Sequence, residues 1–248
     1  MIDIEEQRTA SALGVASICD AGTVSKSAKE ARTPAGPAGP ALLQVRGLTR
    51  RFGEHAVVTG LDLDVAAGEA VVLVGPNGSG KSTVLRCITG ADDPTEGTVE
   101  LGGEPLDERS PSVRSALAVV MDDLDFFPDL SVVEHLDLFA KAHGVPDPET
   151  VVDEVLHEVG LIAQSGQLPG TLSSGQRRRL ALASAFVRPR RLLVLDEPEA
   201  RLDTDGVDWL CERLQREKDQ GLAILMASHH PELVEAVADL VVRIGDRS

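Results

Sequence analysis

The chain has no tyrosine, one tryptophan and five phenylalanines in 248 residues. Single-stranded nucleic acid is held by stacking bases on aromatic faces, and this chain has few to offer. Positive charge is also short: 24 Lys and Arg stand against 40 Asp and Glu, a formal net charge of −16. Nucleic-acid binders normally carry a basic surface, so no nucleic-acid partner is expected. Cysteine is scarce and scattered, at Cys19, Cys87 and Cys211. An odd, dispersed set builds no disulfide framework and shows no CxxC metal spacing, which fits a reducing cytoplasm. No apolar run nears the roughly 18 residues that cross a bilayer. The start, Met1-Ile2-Asp3-Ile4-Glu5-Glu6, is acidic where a secretory leader would be basic. These absences predict a chain that is soluble by itself and reaches a membrane only through a partner.

What is present is enough to build a core, since 42% of the residues are apolar. Residues 1–40 stand apart: they are rich in Ala, Ser, Thr and Gly and end in Pro34-Ala35-Gly36-Pro37-Ala38-Gly39-Pro40. Such a stretch buries too little apolar surface to offset its ordering entropy, so a flexible tail is expected. From Leu42 onward β-prone runs recur at 42–46, 61–66, 70–74, 98–101, 116–121, 192–195, 223–227 and 240–244. The runs at 70–74, 192–195 and 223–227 are nearly all apolar, which predicts central parallel strands buried on both faces. Helical periodicity marks 80–90, 132–144, 149–160, 174–187, 205–219 and 231–238, with Ser131 and Glu134 forming a capping box before the second. The order of these elements predicts an α/β core with an inserted helical piece.

Two motifs carry chemistry by their own physics. Gly75-Pro76-Asn77-Gly78-Ser79-Gly80-Lys81-Ser82-Thr83 matches the phosphate-binding pattern GxxxxGK[ST], and it lies between an apolar strand and a helical run as that pattern requires. Its glycines let backbone N–H groups converge on phosphate oxygens, and the helix N-terminus adds positive charge. Lys81 is expected to reach the β- and γ-phosphates and Ser82 to ligate Mg²⁺. The second motif, Leu192-Leu193-Val194-Leu195-Asp196-Glu197-Pro198, runs an apolar strand into paired carboxylates. Asp196 is placed to hold Mg²⁺ through water, and Glu197 to take a proton from the attacking water.

A third segment, Leu172-Ser173-Ser174-Gly175-Gln176, opens the arginine-bearing run at 177–186, and Gln176 lies 20 residues before Asp196. It is similar to the LSGGQ signature of ATP-binding cassette (ABC) ATPases. With the two motifs above, in the same order and spacing, residues about 42–246 resemble that family. The resemblance implies a P-loop NTPase fold of the ABC type: a RecA-like core, an antiparallel β subdomain and a helical subdomain at about 122–189, within a domain spanning 41–248. It also assigns lesser elements. Phe52 matches the aromatic that stacks on adenine, Leu202-Asp203 the loop at the dimer interface, and His229 the switch histidine that meets the γ-phosphate. Two cassettes are implied to pack head to tail, as a homodimer or with a paralogue. Ser173, Ser174, Gly175 and Gln176 of one copy then face the nucleotide on the other. The implied cofactors are ATP and Mg²⁺. The implied role is ATP hydrolysis that energises a separate membrane permease of small-exporter type, from the cytoplasmic face.

The sequence departs from the family pattern in two places. Ser174 replaces a glycine of the signature. Asp122, in Val119-Val120-Met121-Asp122, stands where relatives carry a glutamine that senses metal and water. Its carboxylate is expected to ligate Mg²⁺, tighten metal binding and slow turnover. Phe126 and Phe127 follow, either as a contact for a membrane subunit or as ordinary packing. The arginines 177, 178, 179, 188, 190 and 191 are expected to be structural rather than to bind nucleic acid. The same cassette could also serve a soluble assembly system of iron–sulfur scaffold type, or act as a slow-hydrolysing regulator.

Overall fold

The computed structural model describes residues 41–122 and 125–245. The tail expected over 1–40, with Cys19, lies outside the described residues. Among those residues the chain forms an α/β fold with one antiparallel and one parallel sheet.

The first strands, β1 (Ala41–Phe52) and β2 (His55–Ala66), form a long antiparallel pair. They are followed by β3 (Ala70–Val74), α1 (Lys81–Thr89), β4 (Glu96–Leu101) and β5 (Glu104–Pro105). The antiparallel sheet has the order β2-β1-β4-β5. Only the first half of β1 and the second half of β2 show in the sequence as β-prone runs. The remaining half of β1, Gly47–Phe52, carries no apolar alternation: Leu48 and Thr49 are buried, while Gly47, Arg51 and Phe52 are exposed. It is extended because it is laddered to β2, with Arg50 opposite Val58 and Phe52 opposite His55.

Next come α2 (Pro111–Ala116), β6 (Leu117–Val120), α3 (Val132–Ala142), α4 (Pro148–Glu158) and α5 (Ser174–Phe186). The chain then alternates: β7 (Leu192–Asp196), α6 (Thr204–Asp219), β8 (Ala223–Ala227), α7 (Pro231–Val237) and β9 (Leu240–Arg243). The second sheet is parallel throughout, in the order β6-β7-β8-β3-β9. Strands β3, β7 and β8 are buried on both faces, as their unbroken apolar runs require, whereas the edge strand β9 is half-exposed. Val71 and Leu73 of β3 join a core with α1 and the antiparallel sheet, while Val72 joins a second core with α5, α6 and α7. Leu192 and Val194 of β7 take the first side and Leu193 and Leu195 the second, all fully buried.

Capping sets where the inserted helices begin. The Glu134 carboxylate accepts hydrogen bonds from the Ser131 N–H at 2.8 Å and the Ser131 hydroxyl at 2.6 Å. At α5 the exchange is reciprocal: the Gln176 N–H donates to Ser173 Oγ and the Ser173 N–H to Gln176 Oε1. Each such box satisfies N–H groups that have no acceptor within the helix.

Because all five strands of the second sheet run the same way, their carboxyl ends share one edge. Met121-Asp122 follows β6, Glu197 follows β7, Ser228-His229 follows β8 and Gly75 follows β3. Residues 46 to 154 positions apart in sequence from Gly75 are thereby brought to one rim, where ligands of open α/β sheets bind.

Candidate functional site

Gly80 ends the phosphate loop and caps α1 with φ 101°, a left-handed conformation suited to glycine. A Cβ there would come within 2.8 Å of the Val57 side chain, so the loop lies tight against β2. The first N–H groups of α1 have no acceptors within the helix and carry the positive end of its dipole. Lys81 is only 5% exposed. Its ammonium donates to the carbonyls of Gly75 at 3.0 Å and Pro76 at 3.3 Å and lies 4.0 Å from Glu197 Oε1. Pro76, Asn77 and Gly78 form the exposed crest of the loop, and Ser82 stays accessible on the first turn of α1 with Thr83 beside it.

Asp196 closes β7 and is 4% exposed. Burial raises its pKa, the hydrogen bond with Ser82 opposes that rise, and the charges of Glu197 and Asp122 add to it. Its Oδ1 is buried without a hydrogen-bond partner. A buried carboxylate oxygen with nothing to accept from, beside a serine hydroxyl, fits a hard divalent cation such as Mg²⁺.

Glu197 turns away from the strand with φ 44°, left-handed for a residue with a Cβ. Such a conformation costs of order 1–3 kcal/mol and persists only where its surroundings hold it. Glu197 Oε1 sits 3.6 Å from His229 Nδ1 as well as 4.0 Å from Lys81 Nζ. One carboxylate oxygen thus faces both cationic candidates. His229 also lies 3.9 Å from Glu199 Oε1. The buried Glu199 accepts a 2.6 Å hydrogen bond from the Ser228 hydroxyl, and Ser228 Oγ accepts one from the His230 N–H at 3.1 Å. This chain of bonds shapes the turn that presents His229. Glu199 was not among the sequence candidates. An acidic residue three after a buried aspartate carries no local sign that it will be buried.

Phe52, Ser173–Gln176 and Asp122 stand apart from that cluster. Phe52 is 52% exposed, with the Arg50 guanidinium 4.7 Å from its ring centroid. Ser173–Gln176 begin α5 and are bonded to one another. Among the described residues they make no hydrogen bond to the phosphate loop. A Cβ on Gly175 would meet the Arg201 carbonyl at 2.9 Å, so only glycine lets α5 approach the segment after Glu197 so closely. Asp122 pairs with Arg201 at 3.2 Å, both half-exposed. The carboxylate expected to be a metal ligand therefore has a basic partner.

The two adjacent phenylalanines differ. Phe126 packs on the core and edge-on to His135, whereas Phe127 is 56% exposed. Five of the six arginines are bonded within the protein: Arg177, Arg178 and Arg188 donate to backbone carbonyls, Arg179 to Asp203 and Arg190 to Glu217.

Comparison with known proteins places this geometry. A family model described as "ABC transporter" matches residues 58–200. The chain is 35% identical over 207 residues to the SkfA peptide export ATP-binding protein SkfE of Bacillus subtilis, covering 83% of this chain and 86% of that one. It is 37% identical over 203 residues to Nod factor export ATP-binding protein I of Cupriavidus metallidurans, covering 80% of this chain and 66% of that protein's length. A relative named for import, the aliphatic sulfonates import ATP-binding protein SsuB of Rhodopseudomonas palustris, is 38% identical over 208 residues, covering 82% and 71%. A solved structure titled "Structure of ATP binding subunit of ABC transporter" superposes with a TM-score of 0.75 at 28% identity, covering 82% of this chain and 86% of that one.

Proposed function

The chain belongs to the ABC transporter family as an ATP-binding subunit, and on that premise we propose that it hydrolyses MgATP to energise a separate membrane-spanning subunit. Subunits of this family are ATPases. The observation that carries the proposal for this chain is the convergence of Lys81 and His229 on one oxygen of Glu197, beside the buried pair Asp196 and Ser82.

Each residue then has a task. Lys81 exchanges the loop carbonyls for phosphate oxygens, joined by the N–H groups of Gly78 to Thr83. Asp196 and Ser82 hold Mg²⁺, which when bound neutralises charge on the phosphates. Glu197 takes the proton of the attacking water at its carboxylate. His229 donates to the γ-phosphate, its turn held by Glu199 and Ser228. Phe52 offers an exposed face to adenine. The Ser173 hydroxyl and Gly175 N–H of a second copy complete the site, which makes the active form a dimer.

Among the described residues no helix is long and apolar enough to cross a membrane. On the proposed reading the spanning part belongs to a partner, and the cassette acts at its cytoplasmic face. Phe127, Leu138, Ile162 and Leu168 are exposed apolar side chains of the 122–189 segment and suit contact with that partner. The SkfE and Nod factor relatives support an exporter. Because the cassette is shared by relatives named for export and for import, direction belongs to the spanning subunit. The test is phosphate release from MgATP by the purified chain, together with identification of what accompanies it from membranes. A hydrolytic chain that brings down a polytopic protein is expected. Co-purification with soluble assembly proteins alone would overturn the transport role, and absence of MgATP binding would overturn the whole reading.

The Asp122–Arg201 pair makes a separate expectation. Exposed pairs are worth about 0.2–1 kcal/mol. Asp122→Gln removes the pair and one negative charge near Asp196. It is expected to raise turnover by up to about fivefold and to raise the Mg²⁺ concentration for half-maximal rate similarly. A magnesium titration of initial rates checks this, and lower turnover with an unchanged Mg²⁺ dependence would contradict it.

A further inference from the structure

Arg178 lies in the second turn of α5 and is 3% exposed. Its guanidinium donates to four backbone carbonyls. Nε reaches Pro198 O at 3.1 Å, Nη1 reaches Met121 O at 3.1 Å, and Nη2 reaches Asp196 O at 2.5 Å and Glu197 O at 2.6 Å. Among the described residues no carboxylate lies within ion-pair distance of it. The nearby charges of Asp122, Glu199 and Asp196 act on it only at longer range, and burial pulls its pKa down. A buried cation without a direct counter-ion is expensive to keep, and an apolar side chain of like volume usually serves a framework as well or better. What an apolar residue would lack is the set of bonds to carbonyls.

Those carbonyls are not a random set. Three are consecutive and centre on Glu197, whose φ of 44° is the strained point of the site. The peptide planes on both sides of the Glu197 Cα, carrying Asp196 O and Glu197 O, are held by the same nitrogen of Arg178. Rotation of either plane would swing the carboxylate away from Lys81 and His229. The Ala200 N–H also donates to Glu197 O and the Glu197 N–H to Ala227 O, both at 2.9 Å, so each plane has one further bond, but only Arg178 bonds both planes at once. The fourth carbonyl belongs to Met121, next to Asp122.

We infer that Arg178 is a positioning residue that keeps the Glu197 backbone left-handed, and so keeps its carboxylate aimed at the water it deprotonates. This rests on the hydrolytic reading above. It also gives α5 a second task. The helix whose first turn presents Ser173–Gln176 to a second copy is tied, through Arg178, to the general base of its own site.

The test uses the full chain and two variants, Arg178→Lys and Arg178→Met, with Kd for MgATP, kcat, KM and thermal melting measured on each. Lysine keeps the charge but cannot reach four carbonyls in a planar fork, and methionine keeps the volume but donates nothing. Both are expected to bind MgATP within about threefold of wild type and to lose turnover by about 10–100-fold, the scale of a misplacement of about 1 Å in a catalytic group. Millimolar guanidinium ion is expected to restore part of the Arg178→Met turnover while leaving the wild type unchanged. Wild-type turnover in either variant would overturn the inference. So would parallel loss of binding and turnover without guanidinium rescue, or failure of Arg178→Lys to fold, since each marks a framework residue. A wild-type chain that binds MgATP but never turns it over would instead overturn the hydrolytic reading from which the inference starts.

Discussion

Glu197→Gln is expected to lower ATP turnover by about 10²–10⁴-fold, the contribution of a well-placed general base. The substitution keeps the size of the side chain and an oxygen that can still face Lys81 and His229, at 4.0 and 3.6 Å from the present Oε1. It keeps the same backbone strain as well. What it removes is the ability to accept a proton at that oxygen, and with it one negative charge next to the phosphates. MgATP affinity should therefore be unchanged or tighter, so that the loss falls on kcat and not on KM. If two copies close around nucleotide, the variant should accumulate as an ATP-loaded dimer on size-exclusion chromatography. Phosphate release and equilibrium nucleotide binding, measured on the same preparation, check both halves. Turnover close to wild type would place the base elsewhere and remove Glu197 from the site.

The second large effect is expected at Lys81, and it has the opposite kinetic form. Lys81→Met should weaken MgATP binding by about 10–100-fold, since hydrogen bonds to charged groups contribute about 1.5–3 kcal/mol and about 1.4 kcal/mol is tenfold in affinity. The ammonium is buried and held at the loop by the Gly75 and Pro76 carbonyls, so it is positioned before nucleotide arrives. Methionine fills the space but leaves the Gly75 carbonyl without its donor, while Pro76 O keeps the Ser79 N–H. A change in stability of about 1 kcal/mol is expected beside the loss of affinity. Lys81→Arg should not rescue binding, because a planar fork does not occupy the compact site of an ammonium. A nucleotide titration by calorimetry separates these expectations, and unchanged affinity in Lys81→Met would contradict the proposed phosphate site.

Several features were legible in the sequence because their signals are local. Unbroken apolar runs marked β3, β7 and β8 as strands buried on both faces, since no alternate position was left polar for solvent. Ser131 with Glu134, three residues apart, announced the start of α3. The phosphate loop showed itself through glycines and Lys81 at fixed offsets between a strand and a helix. The order of these pieces was enough for the α/β architecture, and the Leu172–Gln176 segment, with the phosphate loop and Asp196-Glu197, was enough for the family.

Other features depended on folding. The second half of β1 shows no β-prone run and is a strand because β2 and β4 pair with it. Glu199 reads as one more acid in an acidic turn until the approach of β8 buries it against Ser228. Asp122 reads as a free carboxylate until Arg201, 79 residues away in sequence, comes within 3.2 Å. Arg178 reads as one of several basic residues, yet it donates to Met121, 57 residues earlier, and to Asp196, 18 residues later. Periodicity, capping and loop chemistry act over a few residues and leave a pattern that can be read along the chain. Burial of a charge and its choice of partner depend on which strands lie side by side, and no spacing in the sequence encodes that.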